Sequence, residues 1–291
     1  KKFDKKDEFY YWFKVKKEAQ IIIKEQGYGD DIMFSRYLKP FKNLGYDVTF
    51  AAHPEMVDLL KTSPDLDGIR VEHSLPDILP TSFSFRTFSM SLPYLMQDFL
   101  KEKPKPLYID SSRIDKNKLK ITKLINEKLN TKKLKVGISW SGNPKHWRDK
   151  NRSIDLEIYK DLFRLKNIDF FVLQKISNKS NNDILRKFEN VHDLSKSLKD
   201  FIHTAYFTSA MDCIITVDTS LVHLSGSMNK ETFLLCPKVP DWRWGVDEKQ
   251  AWYPSVQLIR QKEVDDWSSC FSEAISMLKE KSAKLLSSSS Q

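Results

Sequence analysis

At 291 residues, with 40% hydrophobic and 12% aromatic residues, the chain has enough apolar side chain for sizeable cores, which excludes wholesale disorder and fits two α/β domains. No run of about 18 apolar residues occurs, and the opening KKFDKKDEFYYWFKVKK lacks the continuous apolar core of a signal peptide, so neither a membrane span nor a secretory signal is expected and the chain reads as cytoplasmic. A net charge of +9 is compatible with an anionic partner without choosing one, and Cys213, Cys236 and Cys270, odd in number and far apart, suggest neither a disulfide framework nor a zinc site.

The chain starts at Lys1 with an aromatic cluster, Phe9 to Phe13, that reads as the tail of something longer. Ala19 to Lys24 is predicted as a buried strand, Gly27-Tyr28-Gly29-Asp30-Asp31 as a turn, and Ile32 to Leu44 as a helix from its apolar spacing. A strand at Gly45 to Ala52 and a helix at Pro54 to Lys61 continue a β-α alternation of the parallel, doubly wound kind. Residues 62 to 110, rich in proline and carrying Phe83, Phe85 and Phe88, read as a long loop region able to hold an acceptor. From Arg113 to Arg152 there are 13 Lys or Arg against 3 acids, either a solvated charged helix or a face for an anionic ligand or lipid surface. Leu134 to Trp140 opens a second alternating series, with strands at Asp169 to Leu173, Cys213 to Val217 and Thr232 to Cys236 and helices starting near Asp155, Asn182, Leu198 and Thr219. A last helix spans Asp265 to Leu285, and Ser287 to Ser290 reads as a disordered tail.

Four constellations could carry chemistry. In the turn from Gly27 to Asp31, two glycines allow close backbone approach, and Asp30 at the helix start suits a general base as well as a helix N-cap. Asn143, His146, Arg148, Lys150, Arg152 and Ser153 follow a strand and supply fixed donors of the kind that offset phosphate charge. No stacking series or nucleic-acid-binding motif accompanies them, so no nucleic-acid partner is expected. At Val217-Asp218-Thr219-Ser220, hydroxyls and main-chain N–H groups meet at a helix start, a match for a diphosphate; His223, one turn on, is either a packing residue or part of that site. Pro240-Asp241-Trp242-Arg243-Trp244-Gly245 could stack on and hydrogen-bond a sugar, or could form an aromatic plug.

Taken together, EQGYGDDIMFSRYL, GISWSGNP with RDKNRSI, VLQK, VDTSLVHLSGSM, PDWRW and WYPSVQLIRQ resemble glycosyltransferase family nine, the bacterial heptosyltransferase relatives, and within it the branch often attached to tetratricopeptide repeats. The resemblance runs from about residue 19 to 275. It implies a GT-B fold: two Rossmann-like domains facing across a cleft, here 1–133 on the acceptor side and 134–275 binding a nucleotide-sugar, followed by a helix end and tail at 276–291. It also implies sugar transfer, without a metal or other cofactor, to a hydroxyl of a glycan, lipopolysaccharide core or protein, with a peripheral place on the inner membrane face left open. Residue by residue, Asp30 matches the proposed base. Asp218, Thr219, Ser220 and His223 match the donor-phosphate turn, and Asn143, Lys150, Arg152, Ser153, Gln174 and Lys175 the remaining donor side. Gly29, Asp31, Asp241, Trp242, Arg243 and Trp244 are candidate sugar or acceptor contacts. Asp31 and Tyr28 depart from the family pattern, where a small polar and an aliphatic residue are usual; a carboxylate beside Asp30 could raise the pKa of one of the pair or point to solvent. A nucleotide-sugar epimerase or a non-catalytic nucleotide-binding scaffold on the same fold are the rival readings.

Overall fold

A computed structural model of the protein describes residues 19–73, 83–176, 179–246 and 252–288, and the chain divides into two units, residues 1–110 and 111–291. Each is built on one parallel sheet.

In the first unit, Ala19–Ile23 (β1), Asp47–Ala51 (β2), Arg70–Glu72 (β3) and Phe83–Phe88 (β4) pair in the order β3-β2-β1-β4. The tract 62–110, expected as loop, thus contributes two strands: the six residues of β4 lie parallel to β1, with Ile21 opposite Arg86 and Ile23 opposite Phe88. Residues 74–82 fall outside the described part. The helix expected at Ile32 to Leu44 starts earlier and is broken into Tyr28–Phe34 (α1), a 3₁₀ turn at Ser35–Tyr37 and Leu38–Asn43 (α2). Two residues account for the break. Pro40 has no N–H to return to the Arg36 carbonyl, and the Ser35 hydroxyl donates to the Asp31 carbonyl, loosening the ladder there. Pro54–Leu60 (α3) follows β2, Leu92–Leu95 (α4) follows β4, and Ile21, Ile32, Phe41, Phe50 and Leu59 are fully buried between sheet and helices.

The second unit begins with Lys116–Leu119 (α5) and Lys123–Leu129 (α6) and then alternates strands with helices as far as its fifth strand, which the sixth follows with no helix between them among the described residues. Its strands are Leu134–Ser139 (β5), Ile168–Val172 (β6), Val191–Asp193 (β7), Cys213–Thr216 (β8), Thr232–Cys236 (β9) and Val256–Arg260 (β10). Between them lie Asp149–Arg152 (α7), Lys160–Phe163 (α8), Lys179–Leu185 (α9), Phe201–Ala210 (α10) and Ser220–Ser227 (α11), with Ser268–Ser288 (α12) last. The sheet order β10-β9-β8-β5-β6-β7, all parallel, is the doubly wound 3-2-1-4-5-6 order counted from β5. Because every residue of β6 is buried, its Asp169 needs partners, which Lys133 Nζ at 3.1 Å and the His192 ring at 3.7 Å supply. Phe271, Ala274 and Leu278, spaced three and four apart on α12, close the core over Tyr159 and Phe163, each large apolar side chain contributing ~1.5–3 kcal/mol by burial. The serine run expected as tail is partly helical: Ser287 and Ser288 continue α12, and 289–291 lie outside the described residues.

Candidate functional site

In open parallel sheets the carboxyl ends of the strands form the ligand edge, and the favoured place is where the strand order reverses. The first unit reverses between β1 and β4, and the segment leaving β1 carries Gly29, Asp30 and Asp31 into α1. Asp30 is nearly buried, and its Oδ2 accepts the Gly27 main-chain N–H at 2.9 Å, so it caps its own helix while remaining at the ligand edge. Asp31 is fully buried rather than turned to solvent. Its Oδ2 accepts the main-chain N–H of His53 at 2.8 Å and shares a hydrogen bond of the same length with the His53 ring Nδ1. Burial pushes the Asp31 carboxyl above its usual range, while the bonds from His53 and the charge of Lys24 pull it down.

In the second unit the order reverses between β5 and β8, and there the structure joins several predicted residues. Thr219, extended, is the N-cap of α11 and accepts the Leu221 N–H at 3.3 Å, which leaves Ser220 as the first helical residue. Arg152, at the end of α7, donates from Nη1 to the Asp218 carbonyl at 2.7 Å and pairs through Nε with Asp149 at 3.2 Å. The guanidinium thereby lies against the turn that starts α11. Ser153 accepts from Gly142 N at 3.0 Å and donates to Asp149 at 3.0 Å, locking the loop after β5 onto α7. Gly142 has no room for a side chain, since a Cβ would meet the Arg152 and Asp149 side chains at 2.5 Å. Burial raises the Asp218 carboxyl, against the influence of Trp244, Arg152 and Arg243 and with that of Asp241.

Gln174 is committed inside the protein: its Oε1 accepts from Ser139 Oγ at 2.9 Å, Trp140 N at 2.7 Å and Ser141 N at 3.2 Å. Asn143, Lys150 and Lys175 are exposed, Asn143 folding back to accept the Lys145 N–H at 3.0 Å; among the described residues none of the three bonds to the Asp218 turn.

The loop after β9 splits by residue. Trp244 is buried, 1% exposed, and Trp242 is 57% exposed under the Arg243 guanidinium, 4.6 Å from its ring centroid. Asp241 holds Arg243 through Oδ1 at 2.7 Å. His223 stacks on Trp244 at 5.5 Å and its Nδ1 lies 3.0 Å from the Tyr253 hydroxyl, all three side chains being buried. Arg148 ties this loop to the basic one, donating to the carbonyls of Val239 and Pro240 at 3.0 Å each. Tyr253, within the WYPSVQLIRQ tract, forms the floor under α11, a packing role that no local pattern signals, and His53, 22 residues from Asp31, lies in no motif. Among the described residues no group of three or more His, Cys, Asp or Glu is placed to hold a metal ion, and no helix is long and apolar enough to cross a membrane.

No family model matches the chain, and no curated protein matches it in sequence. Solved structures do match its fold. A glycosyl transferase of family 9 from Veillonella parvula is 9% identical, covering 94% of this chain and 98% of that one with a TM-score of 0.59. E. coli ADP-heptose lps heptosyltransferase II is 14% identical over 93% and 99%, also with a TM-score of 0.59. The E. coli heptosyltransferase WaaC, solved with ADP-2-deoxy-2-fluoro heptose, is 10% identical over 89% and 99%, with a TM-score of 0.55. At such identities the likeness concerns the fold, which is that of the GT-B glycosyltransferases, two Rossmann-like α/β units.

Proposed function

We propose that this chain is a glycosyltransferase that moves a sugar from a nucleotide-diphosphate donor to an acceptor hydroxyl, without a metal. The observation that carries the reading is the meeting of the Arg152 guanidinium with the Asp218-Thr219-Ser220 turn where the strand order of the second unit reverses. A cation, a hydroxyl-capped helix start and a switch point are what a diphosphate needs. The three fold relatives are all glycosyl or heptosyl transferases, one of them solved with an ADP-sugar analogue, which supports a nucleotide-sugar as donor here.

In this reading Asp30 takes the proton of the acceptor hydroxyl. The acceptor oxygen attacks the anomeric carbon, and the bond from that carbon to the diphosphate oxygen breaks with its electron pair leaving on the diphosphate. Arg152 and the Thr219-Ser220 turn stabilise the charge that develops there. The acceptor belongs to a glycan, a lipid-linked saccharide or a protein.

A panel of nucleotide-sugars screened by thermal shift identifies the donor, since a ligand at 100 times its Kd adds ~2.7 kcal/mol to the folded state. With that donor, Asp30→Asn keeps binding, because an amide oxygen can still accept the Gly27 N–H, and loses about 10²–10⁴-fold in transfer. Wild-type turnover in this variant removes Asp30 from the mechanism, and loss of transfer in EDTA removes metal independence.

A further inference from the structure

Asp149 and Arg152 lie three residues apart on α7, about one helical turn, so their side chains leave the helix on one face. Asp149 is 9% exposed, and each of its oxygens has its own partner. Oδ1 accepts the Arg152 Nε–H at 3.2 Å, and Oδ2 accepts the Ser153 hydroxyl at 3.0 Å. Ser153 in turn accepts the Gly142 N–H, while the neighbouring Ser141 N–H goes to Gln174 just past β6. The exit of β5 is thus bonded through Ser153 and Asp149 to Arg152, and Arg152 Nη1 carries the connection on to the Asp218 carbonyl at 2.7 Å. Bonds at two of its nitrogens set the plane of the guanidinium, which keeps 18% of the Arg152 side chain exposed. Gly142 closes in from a third side: a Cβ there would lie 2.5 Å from both Arg152 Nη2 and Asp149 Oδ1.

We propose that Asp149 is the positioning residue of Arg152 and acts on a bound diphosphate only through the guanidinium it orients. The inference rests on the glycosyltransferase reading, in which that guanidinium meets the leaving diphosphate. A sign separates this role from that of a charge that merely stands nearby. An aspartate is negative at neutral pH, so by charge alone its removal favours a bound anion. Positioning has the opposite sign. Without the Oδ1 acceptor the long Arg152 side chain regains its rotamers, and a ligand must then order it at its own cost.

The test is calorimetry on the full chain with ADP and with inorganic pyrophosphate, the second probe carrying neither base nor sugar. Asp149→Ala is expected to weaken binding about threefold to tenfold, the scale of immobilising one such side chain. Asp149→Asn keeps an oxygen for Arg152 Nε and drops the charge, so it is expected to bind at least as tightly as the wild type. Gly142→Ala displaces the pair and leaves every charge in place; it too is expected to weaken binding, and it carries the test if Asp149→Ala does not fold. In an Arg152→Ala background, Asp149→Ala is expected to cost nothing further. Tighter binding in Asp149→Ala, weaker binding in Asp149→Asn, or an undiminished loss in the Arg152→Ala background overturns the inference. Should the wild type bind neither probe, the diphosphate reading falls, and the Arg152 ¹⁵Nε–H of the labelled chain decides the positioning by itself. Its hydrogen exchange is expected to be slow in the wild type and in Asp149→Asn and fast in Asp149→Ala; equal exchange in all three overturns the role of Asp149.

Discussion

Gly226 offers a measurement of how firmly α11 is seated. A Cβ built there would meet Tyr253 Cγ at 2.4 Å, Cδ1 at 2.6 Å and Cβ at 2.9 Å, contacts that a buried ring cannot absorb in place. Overpacking of this kind costs ~1–3 kcal/mol. If Tyr253 moves instead, its bond to His223 Nδ1 is lost, at ~1 kcal/mol. Alanine returns ~1 kcal/mol of helix propensity over glycine, so Gly226→Ala is expected to destabilise the second unit by up to about 2 kcal/mol net. In a unit of this size that lowers Tm by about 2–4 °C per kcal/mol, measurable by calorimetry. The sign should reverse in a Tyr253→Ala background, where the space is open and Gly226→Ala becomes neutral or stabilising by ~1 kcal/mol. An equal cost in both backgrounds, or stabilisation in the wild type, would refute the contact as the cause.

The two tryptophans of the loop after β9 should separate cleanly in denaturant titrations: Trp244→Ala costs ~3–5 kcal/mol and Trp242→Ala stays within ~0.5 kcal/mol. Arg152→Ala removes a charge-assisted bond worth ~1.5–3 kcal/mol, so calorimetry should find nucleotide-sugar affinity down about 10- to 150-fold, and an effect below about threefold would move the phosphates elsewhere. Burial raises the Asp31 carboxyl, a shift opposed by His53 and Lys24, which fixes a sign. The protonated acid is favoured in the fold, so its contribution is greatest below the ordinary carboxylate pKa of ~3.9 and is lost as pH rises through the raised value. Asp31→Asn does not titrate, so its stability relative to wild type should improve as pH rises above the ordinary carboxylate range; a constant difference would contradict the shift.

Much of the fold was legible because β5, β6, β8 and β9 are short apolar runs separated by helical periods. β4 was not, since its phenylalanines sit in a proline-rich tract and its strand character comes from a partner more than 60 residues earlier. β10 was not legible because its residues lie inside WYPSVQLIRQ, a stretch quoted for the resemblance and not read as a strand. At the site, the turn at Asp218 and the basic loop were visible separately. Their bond, between residues 66 positions apart, depends on β5 and β8 being neighbours, which local pattern cannot encode. Gln174 was read from its place at a strand tip, yet its amide faces back into the β5 exit, where three donors compete for one oxygen.

That inward commitment sets the kind of anion recognition available to the second unit. The amides of Trp140 and Ser141 go to Gln174 and that of Gly142 goes to Ser153, so three consecutive N–H groups at the mouth of β5 are already occupied. A glycine-lined amide cradle is therefore not what this loop offers. Attraction from that side must come from ionic side chains, Arg152 foremost, which act at longer range but are weakened by dissolved salt. The affinity of a nucleotide-sugar bound there, as proposed, should consequently fall with ionic strength more steeply than in a site built on main-chain dipoles.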